Sequence, residues 1–226
     1  MNESGVMHTD LGDDTIIDTL RKIGYLTIKR IFDIVCAVIG CIFLIPIAIV
    51  IKICYMLHGD FTSIIYSHER IGKNGKLFKL YKFRSMVPNA DKILEEILKD
   101  PEVEKVYKKN MKLPNDPRIT KVGKLIRKAS IDETPQFINV LIGNMSMIGN
   151  RPYLPREIKD MGKYYDEIVS TKPGITGYWQ VAGRNNISFK KRLELESYYS
   201  NNYSILMDLK IFFKTFTVVF FGRGAQ

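Results

Sequence analysis

The stretch Ile34-Val-Cys-Ala-Val-Ile-Gly-Cys-Ile-Phe-Leu-Ile-Pro-Ile-Ala-Ile-Val-Ile51 contains 18 residues and no charged side chain. As a straight α-helix it would span ~27 Å, which is the lower limit for crossing a bilayer. The stretch is apolar on every face, unlike an amphipathic surface helix. A buried helix of a soluble core is the alternative, but the length and the uniform apolarity favour a membrane element.

Two features describe how this stretch would enter a membrane. Pro46 lies inside it and removes one backbone hydrogen bond, which predicts a break in the helix. Basic residues occur on both sides, whereas a crossing helix has a basic bias on one side. These flanking residues are Arg21, Lys22, Lys29 and Arg30 before the stretch, and Lys52 and a Lys/Arg series from Arg70 after it. The pattern favours a re-entrant helix that returns to the same face, with a kinked crossing helix as the alternative.

The composition restricts the classes of partner and of chemistry. The chain has 226 residues, room for one domain plus a membrane element, and 46% are hydrophobic, enough for a folded core. Lys and Arg number 34 against 24 Asp and Glu, a net charge of +10 that points to nucleic acid, anionic lipid or a phosphorylated small molecule. Three cysteines without a CxxC pair and three histidines exclude the usual zinc and His-triad patterns, so carboxylates are the candidate reactive groups.

The segments after the apolar stretch predict a mixed but mainly helical domain. Residues 61–86 read as a β-hairpin, because Asn74-Gly75 is a type I′ turn signal between alternating stretches. Its basic residues form either a solvated hairpin or an edge that faces phosphate or lipid headgroups. Residues 89–108 read as one amphipathic helix capped by Asn89, with Ile93, Leu94, Ile97 and Leu98 in one stripe.

Further helices are predicted towards the C-terminus. Thr120 caps a short helix whose Val122, Leu125 and Ile126 face the core, and Gly143 ends a second one. Pro155 begins a helix through Ile158, Met161 and Ile168, and residues 188–200 are helical. The aromatic tail 211–221 is either an interfacial helix or a packed terminal helix. The acidic N-terminal residues 1–20 read as a loosely docked arm.

The acidic pair Asp132-Glu133 lies in Ser130-Ile-Asp-Glu-Thr-Pro-Gln136. Ser130-x-x-Glu133 fits a helix capping box, although Pro135 then falls just past the first turn. The alternative is chemical, since a carboxylate can attack phosphorus and a neighbouring acid can hold Mg²⁺. Arg127 and Arg151 flank the pair, and arginine matches the geometry of phosphate. Both interpretations of the pair stay open on these residues alone.

Several motifs, in order, extend over about residues 25–221. They are Lys29-Arg-x-Phe-Asp33, Arg70-Ile-Gly-x-x-Gly75, Lys82-Phe-Arg-Ser-Met86, Asp116-Pro-Arg-Ile-Thr120, Arg127-x-x-Ser-x-Asp-Glu-x-Pro-Gln136, Asn139-Val140, Gly149-x-Arg-Pro152 and Lys172-Pro-Gly-Ile-Thr-Gly177. This ordered set resembles the bacterial sugar transferase family, the monotopic phosphoglycosyl transferases. In this chain Asn150 stands where a proline is expected before Arg151, and Tyr203 where a tryptophan is common.

The resemblance implies a fold and an activity. It implies an α+β, mainly helical, monotopic protein with a re-entrant helix broken at Pro46, interfacial amphipathic helices and a small β-hairpin. The implied division is an arm over 1–27, a membrane helix over 28–58 and a cytosol-facing catalytic domain over 59–226. Such enzymes transfer a sugar 1-phosphate from a UDP-sugar to undecaprenyl phosphate and release UMP. The Arg184 loop and the Tyr-rich segment after it resemble members that start exopolysaccharide or capsule units with glucose or galactose.

The resemblance also implies the roles of individual residues. Asp132 is the nucleophile that forms a covalent phosphosugar intermediate, and Glu133, with Asp132, binds the cofactor Mg²⁺. Arg127, Arg151 and Arg118 are the candidates for binding substrate phosphate. The expected location is the bacterial inner membrane, in contact with membrane lipids and with the catalytic domain on the cytoplasmic face; homo-oligomerisation is left open.

Two other functions are weighed against this enzyme. A basic, membrane-attached adaptor of polysaccharide assembly would bind anionic lipid without releasing UMP. Nucleic-acid binding is disfavoured, because the chain has an apolar membrane stretch and no nucleic-acid recognition motif.

Overall fold

The computed structural model describes residues 10–110, 113–183 and 187–220. Within these ranges the chain is mainly helical, with two small two-stranded sheets. The helices are α1 (Asp10–Leu57), α2 (Ala90–Ile97), α3 (Pro101–Asn110), α4 (Lys121–Lys128), α5 (Gln136–Ile142), α6 (Ile158–Met161), α7 (Tyr165–Val169), α8 (Tyr178–Ala182), α9 (Phe189–Asn202) and α10 (Ile205–Phe220). The strands are β1 (Ile65–Ile71), β2 (Leu77–Phe83), β3 (Ser146–Ile148) and β4 (Gly174–Thr176).

The apolar stretch is part of α1, a helix of 48 residues that is long and apolar enough to cross a membrane. Only 17% of its most apolar 18-residue window is buried by the rest of the protein. The helix also begins at Asp10, well before residue 27, because Ile16, Leu20 and Ile23 continue the helical spacing of apolar residues. The N-terminal arm from residue 10 onward is therefore helical and continuous with the apolar stretch.

The helix break predicted at Pro46 is not an interruption of α1. The helix runs unbroken through Pro46. Proline lacks the N–H that would bond to the Ile42 carbonyl, but one missing bond leaves the neighbouring bonds of a long helix in place. Pro46 is thus a weak point within one continuous helix.

One stripe of α1 packs against the folded domain along the apolar stretch. Ala37, Leu44, Ile51 and Tyr55 are buried on it. At Gly40 the helix meets α5 so closely that a Cβ atom would lie 2.5 Å from the Phe137 ring. The other faces of the stretch are exposed, which is the arrangement expected of a helix that has the domain on one side and lipid on the others.

The predicted hairpin is confirmed: β1 and β2 pair antiparallel, with His68 opposite Leu80. Asn74 and Gly75 have φ angles of 56° and 76°, as the Asn-Gly turn signal requires. The buried Asn139 joins this hairpin to α5, since its Nδ2 donates to the Lys79 carbonyl at 2.7 Å and its Oδ1 accepts from the Tyr81 amide at 3.0 Å. The hairpin therefore fixes α5, and with it the acidic residues just before α5.

The single helix predicted over residues 89–108 is wrong, because the chain forms α2 and α3 with a break between them. Pro101 begins α3, a position where its missing N–H is tolerated. Asn89 does precede α2, but its φ is 62° and its side chain makes no capping bond.

The prediction for α4 is right at its cap and wrong for one side chain. Thr120 accepts a hydrogen bond from the Gly123 amide at 2.8 Å, and Val122 and Ile126 are buried. Leu125 is 70% exposed and does not face the core. Gly143 ends α5 with φ 99°, as predicted.

Sheet β3–β4 was not predicted. It is parallel, with Ser146 opposite Gly174 and Ile148 opposite Thr176. Each strand has three residues, too short to show an alternating pattern. Gly149 permits the close approach of the two chains, since a Cβ atom there would lie 2.3 Å from the Lys172 carbonyl oxygen. This sheet carries the loop that contains Arg151.

The C-terminal half is built of short helices and one amphipathic helix. The helix predicted from Pro155 is divided into α6 and α7 by a turn at Gly162 (φ 52°), although Met161 and Ile168 are buried as expected. The helix expected over 188–200 is confirmed as α9. In α10 Ile211 is buried while Phe213 is 64% exposed, so this helix both packs on the domain and presents an apolar outer face.

Candidate functional site

The acidic pair lies in a single 3₁₀ turn, Ile131–Glu133, between α4 and α5. Ser130 has a φ of 55° and its side chain caps nothing, while Pro135 takes the capping position of α5. The capping-box interpretation of Ser130 and Glu133 is therefore wrong. Proline starts α5 without needing a donor, which leaves both carboxylates free of a helix-capping role.

Glu133 faces a cluster of cations. Its Oε1 accepts a hydrogen bond from Lys82 Nζ at 2.7 Å, and Lys82 comes from strand β2. Arg70 of β1, and Arg151 from the loop after β3, line the same cleft. The cleft has a volume of about 50 Å³, more than one water occupies in the liquid. Three elements distant in sequence thus bring cations to the acidic turn.

The two carboxyl groups of the pair differ in electrostatic environment. Burial raises the pKa of Asp132 above its usual value and the charge of Glu133 adds to this, against the opposing effect of Lys82 and Arg127. Burial acts in the same direction on Glu133, but the charge and hydrogen bond of Lys82, with Arg151 and Arg70, hold the pKa of Glu133 below its usual value. Glu133 is therefore the member of the pair that ionises more readily, and burial opposes the ionisation of Asp132.

Several buried N–H groups around the cleft have no hydrogen-bond partner among the described residues. They are the Nε atoms of Arg70, Arg151 and Arg192 and the Nε1 atom of Trp179. Trp179 is 7% exposed, lines the cleft and carries the Arg192 guanidinium 4.4 Å from its ring centroid. Buried donors without acceptors are costly, so this set indicates a ligand that supplies oxygen atoms.

His68 lies beside these cations without serving as an acid. Burial first, and then the charges of Arg70, Lys82 and Arg151, lower its pKa to about 4. The ring is neutral at physiological pH, in agreement with the expectation that carboxylates carry the chemistry here.

The other two predicted phosphate ligands lie elsewhere. Arg127, in the last turn of α4, is exposed and donates from Nε to Ser85 Oγ at 2.8 Å, leaving the rest of its guanidinium available near Asp132. Arg118 is 6% exposed and forms a bidentate pair with Asp116, with bonds of 2.9 and 2.6 Å. Neither lines the cleft of Glu133, and the pairing with Asp116 gives Arg118 a role in holding its loop. A phosphate-binding role for either stays a prediction.

One residue of the site was missed from the sequence. Glu196 of α9 is fully buried and accepts hydrogen bonds from the Arg151 amide at 2.8 Å and from the Tyr153 hydroxyl. Burial raises the pKa of Glu196 to about 7, against the opposing effect of its hydrogen bonds. The spacing of residues in the sequence could have indicated this position. Leu193, Glu196 and Ser200 lie on one face of α9, and all three are buried.

Asn150, the residue found in place of an expected proline, is also structural. Its Nδ2 donates to Ser200 Oγ at 2.7 Å and to the Ile168 carbonyl at 3.1 Å. Together with Glu196 it ties the Arg151 loop to α9 and α7. Arg184, used in the resemblance, lies outside the described residues.

The donor set can be tested for Mg²⁺. The described residues contain no group of three or more His, Cys, Asp or Glu side chains arranged for a metal. Asp132 and Glu133 supply two carboxylates, and Mg²⁺ is commonly bound by one or two carboxylates together with substrate phosphates and water. The pair therefore fits a Mg²⁺ site that a phosphorylated substrate completes.

The sequence of this chain is similar to those of known bacterial sugar transferases. The model of the bacterial sugar transferase family matches residues 24–222. The undecaprenyl-phosphate galactose phosphotransferase of Salmonella typhimurium is 43% identical over 211 residues, covering 93% of this chain and 44% of that protein. The galactosyl transferase CpsE of Streptococcus agalactiae is 43% identical over 213 residues, covering 91% of this chain and 45% of that protein.

A shorter relative matches along nearly its whole length. The exopolysaccharide production protein ExoY of Sinorhizobium fredii is 39% identical over 207 residues, covering 91% of both chains. The chain thus spans less than half of the Salmonella and Streptococcus proteins and most of ExoY.

Proposed function

The chain belongs to the bacterial sugar transferase family, and on this basis we propose that it transfers a sugar 1-phosphate from a UDP-sugar to undecaprenyl phosphate, with release of UMP. The observation that carries the proposal is the acidic turn 131–133 beside Lys82, Arg70 and Arg151, with unpaired buried donors around it. Such an arrangement is suited to a diphosphate whose charge must be neutralised during attack. The product would begin an exopolysaccharide or capsule unit, with galactose or glucose as the sugar.

The reaction proceeds in two displacements at the sugar-bearing phosphorus. A carboxylate oxygen of Asp132 forms a bond to this phosphorus, and the bond to the UMP oxygen breaks. An oxygen of undecaprenyl phosphate then attacks the same phosphorus, the bond to Asp132 breaks, and the free carboxylate is restored. Arg151 and Lys82 balance the charge of the phosphate oxygens in both steps, while Arg70 and Trp179 supply further donors.

Mg²⁺ would be held by Glu133 with Asp132. When bound, it supplies positive charge that neutralises diphosphate oxygens and makes UMP a better leaving group. Glu133 suits this role because its pKa is held low by Lys82 and it stays ionised.

We also propose a monotopic placement in the inner membrane, in which the continuous helix α1 lies along the domain and the cleft is on the cytoplasmic face. Both ends of the apolar stretch are tied to the domain: Lys29 pairs with Asp208 at 2.6 Å, and the Tyr55 hydroxyl donates to the Arg84 carbonyl at 2.6 Å. Lys29 and Tyr55 are 26 positions apart, or ~39 Å along a helix. A helix anchored to one domain at both ends lies along that domain, and the outer face of α10 adds a second apolar surface for the same leaflet.

The decisive assay measures UMP release by the purified protein in detergent, with Mg²⁺, undecaprenyl phosphate and a panel of UDP-glucose, UDP-galactose and their N-acetylated forms. We expect UMP from one of the hexose donors, and a lipid-linked diphosphate sugar only when the acceptor is present. Lipid binding without UMP release from any donor would contradict the enzyme and favour the adaptor.

A pH profile tests the electrostatics of the pair. Lys82 lowers the pKa of both Asp132 and Glu133, so Lys82→Gln raises both values. Because attack requires ionised Asp132, we expect the acid limb of kcat to move to higher pH, together with a loss on the order of tenfold at the plateau from the missing charge-assisted hydrogen bond. Lys79→Gln, an exposed lysine of the same strand, is the matched control. An acid limb that coincides in the wild type and in Lys82→Gln would contradict the assigned electrostatic role.

A further inference from the structure

A second cavity, of about 350 Å³, lies between α1 and the domain and shares no lining residue with the cleft of Glu133. Its walls carry five basic side chains and a single carboxylate, that of Asp33. The basic residues are Lys22, Lys29, Arg30, Lys73 and Lys172. The cavity is thus strongly cationic, and its charge is not used by the proposed chemistry.

Among the described residues, Lys29 alone of these five cations forms an ion pair, with Asp208, while the charge of Asp33 acts on Lys29, Arg30 and Lys172. Asp33 is buried and accepts hydrogen bonds from Ser146 Oγ at 3.0 Å and the Met147 amide at 2.8 Å. The described hydrogen bonds of the Arg30 side chain go to uncharged groups, the carbonyls of Val140 and Leu141.

Lys172 has no ion pair among the described residues, and it shares its surroundings with Arg30. A Cβ atom on Gly143 would lie 3.5 Å from Arg30 Nη2 and 3.8 Å from Lys172 Nζ, so the two cations approach the same point. Burial, and then the charges of Arg30 and Lys73, lower the pKa of Lys172 against the opposing effect of Asp33. Cations held together in this way favour a bound anion.

A smaller apolar cavity of about 80 Å³ adjoins the cationic one, and the two share Tyr25, Lys29 and Ile148. It lies between α1 and α10, with Ile28, Phe32, Ile205 and Leu209 in its wall. An anion site joined to an apolar groove fits an amphipathic ligand, with a charged head and a hydrocarbon chain.

The cavity lies beside the start of the apolar stretch. Arg30 precedes the first residue of the apolar stretch, Ile34, by four residues, or ~6 Å along a helix. Tyr25 and Tyr203 line the cavity and stack on each other, with ring centroids 4.8 Å apart. Tyrosine and basic side chains are common at this level of a membrane.

The cavity is too far from the acidic turn to hold a reacting phosphate. The acidic turn precedes the first residue of α5, whereas Arg30 binds carbonyls in the last turn of α5. This helix of seven residues is ~10 Å long. A phosphate bound by Arg30 and Lys172 therefore lies about one helix length away from Asp132.

We propose that this cavity binds the anionic headgroup of a membrane glycerophospholipid, with Arg30, Lys73 and Lys172 around the phosphate and one acyl chain in the groove between α1 and α10. The lipid would fix the depth of α1 and its angle to the domain, and it is not consumed in the reaction. Basic pockets beside membrane helices recognise anionic lipids in this way.

The test counts lipids retained by the purified full chain in detergent, by native mass spectrometry, with phosphatidylglycerol or phosphatidylcholine added. We expect the wild type to retain phosphatidylglycerol, Lys73→Gln/Lys172→Gln to lose it by about tenfold or more, and Lys73→Gln alone to show a partial loss. Lys159→Gln/Lys190→Gln, which removes equal charge from exposed positions, is expected to retain the lipid.

Three results would overturn the proposal. They are equal retention of the two lipids by the wild type, equal losses in the two double variants, and displacement of phosphatidylglycerol by equimolar undecaprenyl phosphate, which would assign the cavity to the acceptor. UMP release is measured on the same samples, so a protein that binds lipid but releases no UMP refutes the proposed enzyme and not this site.

Discussion

Asp132→Asn is expected to lower turnover at least about a thousandfold and to abolish labelling of the protein by a UDP-sugar that carries radioactive phosphorus next to the sugar. The substitution keeps the size of the side chain and removes the ionised oxygen that would attack. It takes no capping group from a helix, because neither Asp132 nor Ser130 caps α5. Loss of activity in a variant that melts at the wild-type temperature would therefore concern chemistry rather than folding.

The measurement needs two comparisons. Asp160→Asn changes an exposed aspartate of α6 in the same way and is expected to keep both turnover and labelling. Glu133→Gln is expected to reduce turnover and its dependence on Mg²⁺, while leaving the nucleophile present. Wild-type turnover by Asp132→Asn would exclude Asp132 as the nucleophile, and label that remains on the variant would point to another residue.

The features that could be predicted from the sequence are those that depend on residues close together in the chain. The long apolar stretch, the Asn74-Gly75 hairpin, the Thr120 cap and the end of α5 at Gly143 each depend on a few neighbouring residues, and each is confirmed. The acidic turn was found as a pair of residues, but its interpretation as a helix cap was wrong. Pro135 could have excluded the helix cap, because a proline in the capping position of α5 leaves Ser130 and Glu133 outside the helix.

The features that escaped prediction depend on contacts between distant segments. Strands β3 and β4 are three residues each and exist because Gly149 and Gly174 let two loops approach. Lys82 was one of the basic residues of the predicted hairpin, with its role left open, and its bond to Glu133 arises only when Asn139 fixes the hairpin on α5. The bidentate pair of Arg118 with Asp116 was likewise not predicted, while a phosphate-binding role for Arg118 stays a prediction.

The local patterns around the apolar stretch of α1 do not determine the path of this helix. Pro46 predicts a break, yet α1 is continuous, since one missing hydrogen bond does not end a helix of 48 residues. Symmetric basic flanks predicted that both ends of the apolar stretch lie on one side of the membrane, and the burial of Ala37, Leu44 and Ile51 against the domain supports a placement of α1 along the domain. A one-sided placement of this kind does not require the break that was expected at Pro46.

Glu196→Ala is expected to lower kcat/KM by about a hundredfold through the Arg151 loop, although Glu196 does not line the cleft. Glu196 holds the Arg151 amide and the Tyr153 hydroxyl from a fully buried position. Its removal leaves two buried donors unpaired, at a cost of about 3 kcal/mol in the free energy of unfolding, and lets Arg151 move relative to Glu133. A displacement of about 1 Å is enough for a rate loss of this size. Glu194→Ala, which removes a partly exposed carboxylate of the same helix that pairs with Lys191, serves as the control for both readouts.

The pH dependence of the free energy of unfolding distinguishes the effect of burying the Glu196 carboxylate from the effect of its hydrogen bonds. The pKa of Glu196 is raised from 4.5 to about 7 in the folded protein, so this residue ionises first in the unfolded chain as the pH rises. The stabilisation is complete below about pH 4.5 and is lost by about pH 7, a change of about 3 kcal/mol. Glu196→Gln, which cannot ionise, should lack this component, so its melting temperature should gain on that of the wild type between these pH values. Parallel melting profiles for the two proteins would mean that Glu196 is ionised throughout, and that the Arg151 loop is held by a permanent charge.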